Sequence, residues 1–187
     1  MNKIYTGIGS RSTPNLILEA FRALGRTLAE ENYTLRSGRA EGADSYFEIG
    51  AREAHGNCEI YIPWENFAGN AALLQYPAII LPTAGDLYEK AKESVINFHP
   101  TPGRLNKGGM KLMMRNYMQI YGTNTENPLL SDFVICYTSD GKASGGTGQA
   151  IRIAENLNIP VFNAHGFETN PNAFVDEVLN LLTSPHV

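Results

Sequence analysis

Two apolar periods alternate along this chain. Residues 3–9 form a short β-like run that stops at a glycine-containing turn. Ile17, Phe21, Leu24 and Leu28 then recur at helical spacing, which predicts an amphipathic helix over residues 14–31. Ser12 or Thr13 is placed to cap it, and Pro14 suits its first turn. Residues 33–36 predict a second strand and residues 37–43 a loop of small side chains. Residues 44–54 predict a second helix, with Tyr46, Phe47, Ile49 and Ala51 available for packing. Residues 58–62 predict a third strand, ended by Pro63. A β-α-β-α-β order with short turns predicts an α/β fold, a mainly parallel sheet with helices on both faces. Right-handed crossovers then put the loops that follow the strands on one sheet edge.

The middle of the chain is less regular. Residues 64–83 mix aromatics, prolines and small residues and predict no firm element. Residues 85–98 predict a helix. Residues 99–109 hold two prolines and three glycines and predict a loop. Residues 110–121 predict a helix with Leu112, Met113, Tyr117, Ile120 and Tyr121 apolar. The regular pattern then resumes, with a buried strand at 132–137, a loop at 139–148, a helix at 147–157 and a closing strand at 159–163. A last helix at 171–182 has Phe174, Val178 and Leu181 on one face. The pattern predicts a single domain over residues 1–187, with a helical insertion around 64–128 and no internal repeat.

Composition narrows the function classes. At 187 residues, 43% of them hydrophobic and 18% charged, the chain can bury a core and is not of disordered type. A formal net charge of −4 gives no global attraction to nucleic acid or to a membrane surface. Cys58 and Cys136 fall in apolar runs and read as small core residues, which fits a reducing, cytoplasmic setting. The first strand begins almost at once, so a secretory leader is not expected. The most apolar stretch, residues 71–81, is broken by Gln75 and Pro77 and is too short to span a bilayer. His55, His99, His165 and His186 lack metal-ligand spacing, so no metal site is expected; no resident cofactor is expected either.

The candidate chemistry lies in three Gly-rich loops. The first, Gly7-Ile8-Gly9-Ser10-Arg11, follows a strand and precedes a helix. Its glycines allow close backbone approach, and Arg11 can fork a phosphate. It lacks the third glycine of a dinucleotide fingerprint and the Gly-Lys-Ser/Thr of a P-loop. The second, Ser37-Gly38-Arg39-Ala40-Glu41-Gly42-Ala43-Asp44, ends at a helix start, where Asp44 can cap the helix or accept from ribose hydroxyls. The third, Ser144-Gly145-Gly146-Thr147-Gly148-Gln149, runs straight into a helix N-terminus, a geometry suited to phosphate. Lys107, Lys111 and Arg115 stand four residues apart and share a face if their helix begins early. With Arg104 they make a basic stripe, for which a solvated face is the simpler reading at Lys107 and Lys111. No Gly-x-Ser-x-Gly elbow is present.

These loops, with Arg115-Asn116 between the second and third, resemble the SLOG superfamily. That group includes the DNA-processing protein A Rossmann domain, the LOG phosphoribohydrolases and the YspA-like domains. The resemblance spans roughly residues 3–163. It implies a Rossmann-like fold, a dimer, and binding of nucleotides, nucleotide-derived signals or nucleic acid. Carried over by position, it implies ligand contacts from Gly9, Ser10 and Arg11, from Gly38, Gly42 and Asp44 beside Ser37, from Arg115 and Asn116, and from Gly145, Gly146 and Thr147 beside Ser144. The LOG hydrolases carry a Pro-Gly-Gly-x-Gly-Thr-x-x-Glu run whose glutamate serves catalysis. Here Ser144 replaces the proline, Gln149 stands at the threonine position and Arg152 at the glutamate position.

Three functions follow as expectations. The first is binding of a nucleotide or an ADP-ribose-like small molecule. The second is N-glycosidic cleavage of a nucleoside monophosphate, with Glu41 or Asp44 as the catalytic carboxylate. The third is single-stranded DNA binding through Arg11, Arg39, Arg104, Lys111 and Arg115.

Overall fold

The computed structural model describes residues 3–67 and 71–183. Six strands build one parallel sheet: β1 (Ile4–Gly7), β2 (Thr34–Ser37), β3 (Cys58–Ile62), β4 (Ile79–Ile80), β5 (Phe133–Cys136) and β6 (Val161–Asn163). Six helices accompany them: α1 (Asn15–Glu30), α2 (Ala43–Glu53), α3 (Asp86–Phe98), α4 (Lys107–Tyr121), α5 (Thr147–Asn156) and α6 (Pro171–Thr183). The fold is α/β, as the pattern predicted, and Rossmann-like, as the resemblance implied.

The strands are short and apolar because both sheet faces are covered. In β5 every residue is buried, and successive side chains go to opposite faces. Phe133 and Ile135 join Tyr5, Leu35 and Ile60 in the core beneath α1, α2 and α6. Val134 and Cys136 pack on the other face with Ala150, Ile151 and Ile153 of α5. Beside them, Tyr61 of β3 packs with α3 and α4 through Ala91, Val95, Met114 and Met118. Burial pushes the Cys58 thiol up to about 11 and the Cys136 thiol up to about 12, as expected for packing residues. On α6, Phe174 and Val178 are buried; the side chain of Leu181, and all of His186, lie outside the described residues.

Strand order places the site. The sheet runs β4-β3-β2-β1-β5-β6. The chain moves outward from β1 through β2 and β3 to β4, then returns to the other side of β1 for β5 and β6. The loops leaving the carboxyl ends of β1 and β5 therefore diverge and open a crevice, the topological switch point of a doubly wound sheet.

Three local features differ from the pattern. Neither Ser12 nor Thr13 caps α1: the N-cap position is Pro14, and the Thr13 hydroxyl donates to the Ser10 carbonyl at 2.6 Å. The stretch at 64–128 is not purely helical, because it supplies the edge strand β4, paired parallel to β3. Helix α4 begins at Lys107, inside the expected loop, because Asn106 caps it by accepting from the Gly109 amide at 2.8 Å. Lys107, Lys111 and Arg115 thus do share a face. That face runs from exposed Lys107 through half-buried Lys111 to buried Arg115, so it leads into the protein rather than along its surface. Among the described residues, no helix is long and apolar enough to cross a membrane, and no group of three His, Cys, Asp or Glu side chains could hold a metal.

Helices α1 and α2 approach closely where Gly25 and Gly50 face backbone. A Cβ at Gly25 would lie 2.6 Å from the Phe47 carbonyl oxygen, and one at Gly50 would land on the carbonyl of Arg22. Gly50→Ala therefore forces the two helices apart. The expected loss of stability is about 1–3 kcal/mol or more, read from urea midpoints, despite the better helix propensity of alanine.

Candidate functional site

A cavity of about 460 Å³ occupies the switch point. The loop after β1 supplies Ile8, Gly9, Ser10 and Arg11, the loop after β2 supplies Ala40, and the first turn of α2 supplies Asp44. Helix α4 supplies Leu112, Met113, Arg115, Asn116 and Gln119, with Phe67 beside them. The loop after β5 supplies Thr138, Ser139 and Ser144, leading through Gly145 and Gly146 to Thr147 at the start of α5. The volume falls in the range of small-molecule sites.

Asp44 and Arg115 fasten this cavity together. Asp44 is the second residue of α2, yet its carboxylate makes no helix cap. It turns back to accept from the Gly9 amide at 3.2 Å and the Ala40 amide at 3.4 Å, which joins the first loop to the second. Its Oδ2 lies 3.9 Å from Nη2 of Arg115. Arg115 Nη1 donates to the Gly38 carbonyl at 2.8 Å, and its guanidinium lies 5.5 Å from the Phe67 ring centroid. Both groups are buried. Burial holds the Asp44 carboxyl above its ordinary range, although Arg115 and the amides of Ala40, Gly9 and Gly38 oppose the shift. Burial likewise lowers Arg115, opposed by Asp44. Arg11 is exposed at the mouth, so the lining carries one cation more than it does carboxylates.

The third loop presents backbone. The amides of Gly145, Gly146 and Thr147 have no acceptor among the described residues. They sit where α5 begins, so the partial positive charge of the helix end adds to them. Gly145 takes φ +58°, and a Cβ there would meet only open space. Two anchors shape the loop. Asp140 accepts from the Lys142 amide at 3.1 Å and the Ser144 hydroxyl at 2.8 Å, and Asn116 Nδ2 donates to the Gly146 carbonyl at 2.8 Å. Arg152, at the position of the hydrolase glutamate, does not line the cavity. It donates to the carbonyls of Phe98 at 2.5 Å and Ala143 at 2.6 Å, tying this loop to the end of α3.

The structure thus brings ten of the sequence-derived residues to one cavity: Gly9, Ser10, Arg11, Asp44, Arg115, Asn116, Ser144, Gly145, Gly146 and Thr147. Four others stand outside its lining. The Ser37 hydroxyl donates to the Gly7 carbonyl at 2.6 Å inside the sheet. Gly38 lies behind Arg115, where a Cβ would be 2.5 Å from Cζ. Gly42, at φ +90°, packs against the Ser10 carbonyl, which a Cβ would approach to 2.9 Å. Glu41 is exposed. Arg39 also moves from the surface to the interior: it is 3% exposed, pairs with buried Glu48 at 2.6 Å and donates to the carbonyls of Tyr76 and Pro77. Sequence reasoning missed Phe67, Thr138, Ser139 and Gln119. Helical spacing from Arg115 to Gln119 was the available signal for the last.

No family model matches the sequence, and no curated protein matches it. Solved structures do. The chain is similar to DNA processing protein A from Helicobacter pylori, whose structure describes a single-stranded DNA binding mode, with TM-score 0.60 and 16% identity over 96% of this chain and 81% of that one. It is similar to the Chlamydomonas rheinhardtii Moco carrier protein, with TM-score 0.52 and 16% identity over 97% and 98%. It is also similar to the protein TM1055, with TM-score 0.51 and 23% identity over 86% and 72%. At these identities the likeness is one of fold: the chain shares the α/β, Rossmann-like arrangement of these structures.

Proposed function

We propose that this chain binds a nucleotide or nucleotide-derived small molecule, of ADP-ribose-like chemistry, in the switch-point cavity. The observation that carries the reading is the unpaired row of amides at the start of α5, opening into a cavity whose other mouth residue is Arg11. Amides of this kind at a helix end suit phosphate, and an arginine fork completes its coordination. The solved structures of this fold include proteins named for carrying Moco and for binding single-stranded DNA, so binding is a use to which the fold is put.

Binding without N-glycosidic cleavage fits the carboxylates. Among the described residues Asp44 is the only carboxylate in the lining, and it is engaged by two amides and Arg115. Glu41 lies outside the lining. A small-molecule ligand also fits the cations better than a DNA strand does, because of the five expected to track DNA, Arg39 and Arg115 are buried, which leaves Arg11, Arg104 and Lys111. Free base released from any nucleoside monophosphate would overturn the first preference. Filter binding to single-stranded DNA that weakens steeply with salt would overturn the second.

Arg11→Ala is the direct test of the pocket. It should weaken binding of ADP-ribose or a nucleoside monophosphate by roughly 10- to 100-fold in calorimetry, as for loss of a charged hydrogen-bond pair. Unfolding of the ligand-free chain should change by less than about 0.5 kcal/mol, since the residue is exposed. An unchanged affinity for every ligand that binds would remove this cavity as the site.

The protonation of Asp44 gives a second test. Its carboxyl is raised in the folded chain, so the folded state holds a proton at a pH where the unfolded chain has released it. This group therefore adds stability as pH falls through the folded-state value, and the gain is complete below the unfolded value. Urea midpoints of the wild type should rise relative to those of Asp44→Asn between pH 7 and pH 4. A relative fall would show that Arg115 outweighs burial.

A further inference from the structure

Gln119 lies one helical turn beyond Arg115 on α4 and lines the same cavity. Its side chain is fully buried, yet neither Oε1 nor Nε2 has a hydrogen-bond partner. The same holds for Nε of Arg115. Buried polar groups in folded proteins are nearly always paired, so three such atoms on one face of one helix, in a cavity wall, call for an outside partner. The space for them is kept open by Gly38: a Cβ there would lie 2.6 Å from Gln119 Nε2.

We propose that Gln119 reads the edge of a nucleobase-type ring, hydrogen-bonding an edge that offers a donor beside an acceptor. This rests on the nucleotide reading above and names the part of the ligand that meets the inner wall. A primary amide presents one acceptor and one donor side by side. Phosphate offers acceptors only and leaves Oε1 unmet. A single ribose hydroxyl meets one atom at a time. A heteroaromatic edge such as N6 and N7 of adenine meets both at once, the pairing glutamine makes with that base in DNA recognition. Position agrees with this division. Asn116, which holds the third loop through the Gly146 carbonyl, precedes Gln119 by three residues, so Gln119 stands about 4.5 Å of helix rise further along α4 than the residue that anchors that loop. Phe67, Leu112 and Met113 supply apolar surface for the ring.

Calorimetry with AMP, GMP, CMP, UMP and the base-free probe ribose 5-phosphate tests this. The wild type should bind at least one nucleotide roughly tenfold or more tightly than ribose 5-phosphate. Gln119→Leu should collapse that ratio to within about threefold. Its ligand-free melting temperature should not fall, because leucine removes two unmet polar atoms. Gln119→Met serves if the leucine variant does not fold. A variant that keeps the full ratio overturns the assignment, and so does a wild type that binds ribose 5-phosphate as tightly as every nucleotide; both leave the phosphate site standing. A wild type that binds none of the five overturns the assignment together with the reading beneath it.

Discussion

The cavity depends on one buried ion pair. Arg115 comes from α4, in the irregular middle of the chain, and Asp44 from the start of α2. Between them they contact both flanking loops: Arg115 holds the Gly38 carbonyl, and Asp44 holds the amides of Gly9 and Ala40. A charge buried alone is strongly destabilising, whereas a paired and hydrogen-bonded one is tolerated. That constraint links residues far apart in sequence. Gly38 must lack a side chain because Arg115 occupies its space, and Gly42 must take a positive φ against the Ser10 carbonyl for α2 to start where Asp44 can turn back. The glycines of the second loop are thus set by packing around the pair.

This explains what was legible in the sequence. Strands and helices around the switch point announced themselves through apolar period, and strand-loop-helix order placed the three loops on one edge. That the loops converge follows from topology alone. The order in which they stand, with Arg115-Asn116 between, carried the family resemblance and with it the expected pocket. What was not legible is which polar groups face inward from those loops. Ser37 and Arg39 sit in the second loop as plausibly as Asp44 does, and only burial separates them: Ser37 bonds within the sheet, and Arg39 pairs with Glu48.

The middle segment hid for different reasons. β4 has two residues, both half exposed, in a stretch rich in prolines and aromatics, so no alternation could show it. The start of α4 carries Gly108 and Gly109, which read as loop by propensity. The side-chain cap of Asn106 outweighs them. Gln119 escaped because a glutamine among apolar helix residues carries no chemistry by itself. It acquires meaning only when its amide is found buried and unmet on the same face as Arg115.

The third loop shows how one position can close off a chemistry. Arg152 stands where the sequence resemblance would put the glutamate of the LOG hydrolases, and its guanidinium fills a slot lined by carbonyl oxygens of Phe98 and Ala143. Phe98 ends α3, so a cation there also meets the negative end of that helix. A carboxylate in the same slot would face two carbonyls and a helix C-terminus, all repulsive to it. The slot is therefore built for a cation, and exchanging one residue would not restore a hydrolytic acid. The same contacts fix the loop that presents the Gly145–Thr147 amides. In this chain the residue at that position holds the third loop in place through the Ala143 carbonyl, which is the physical ground for the proposal that the cavity binds rather than hydrolyses.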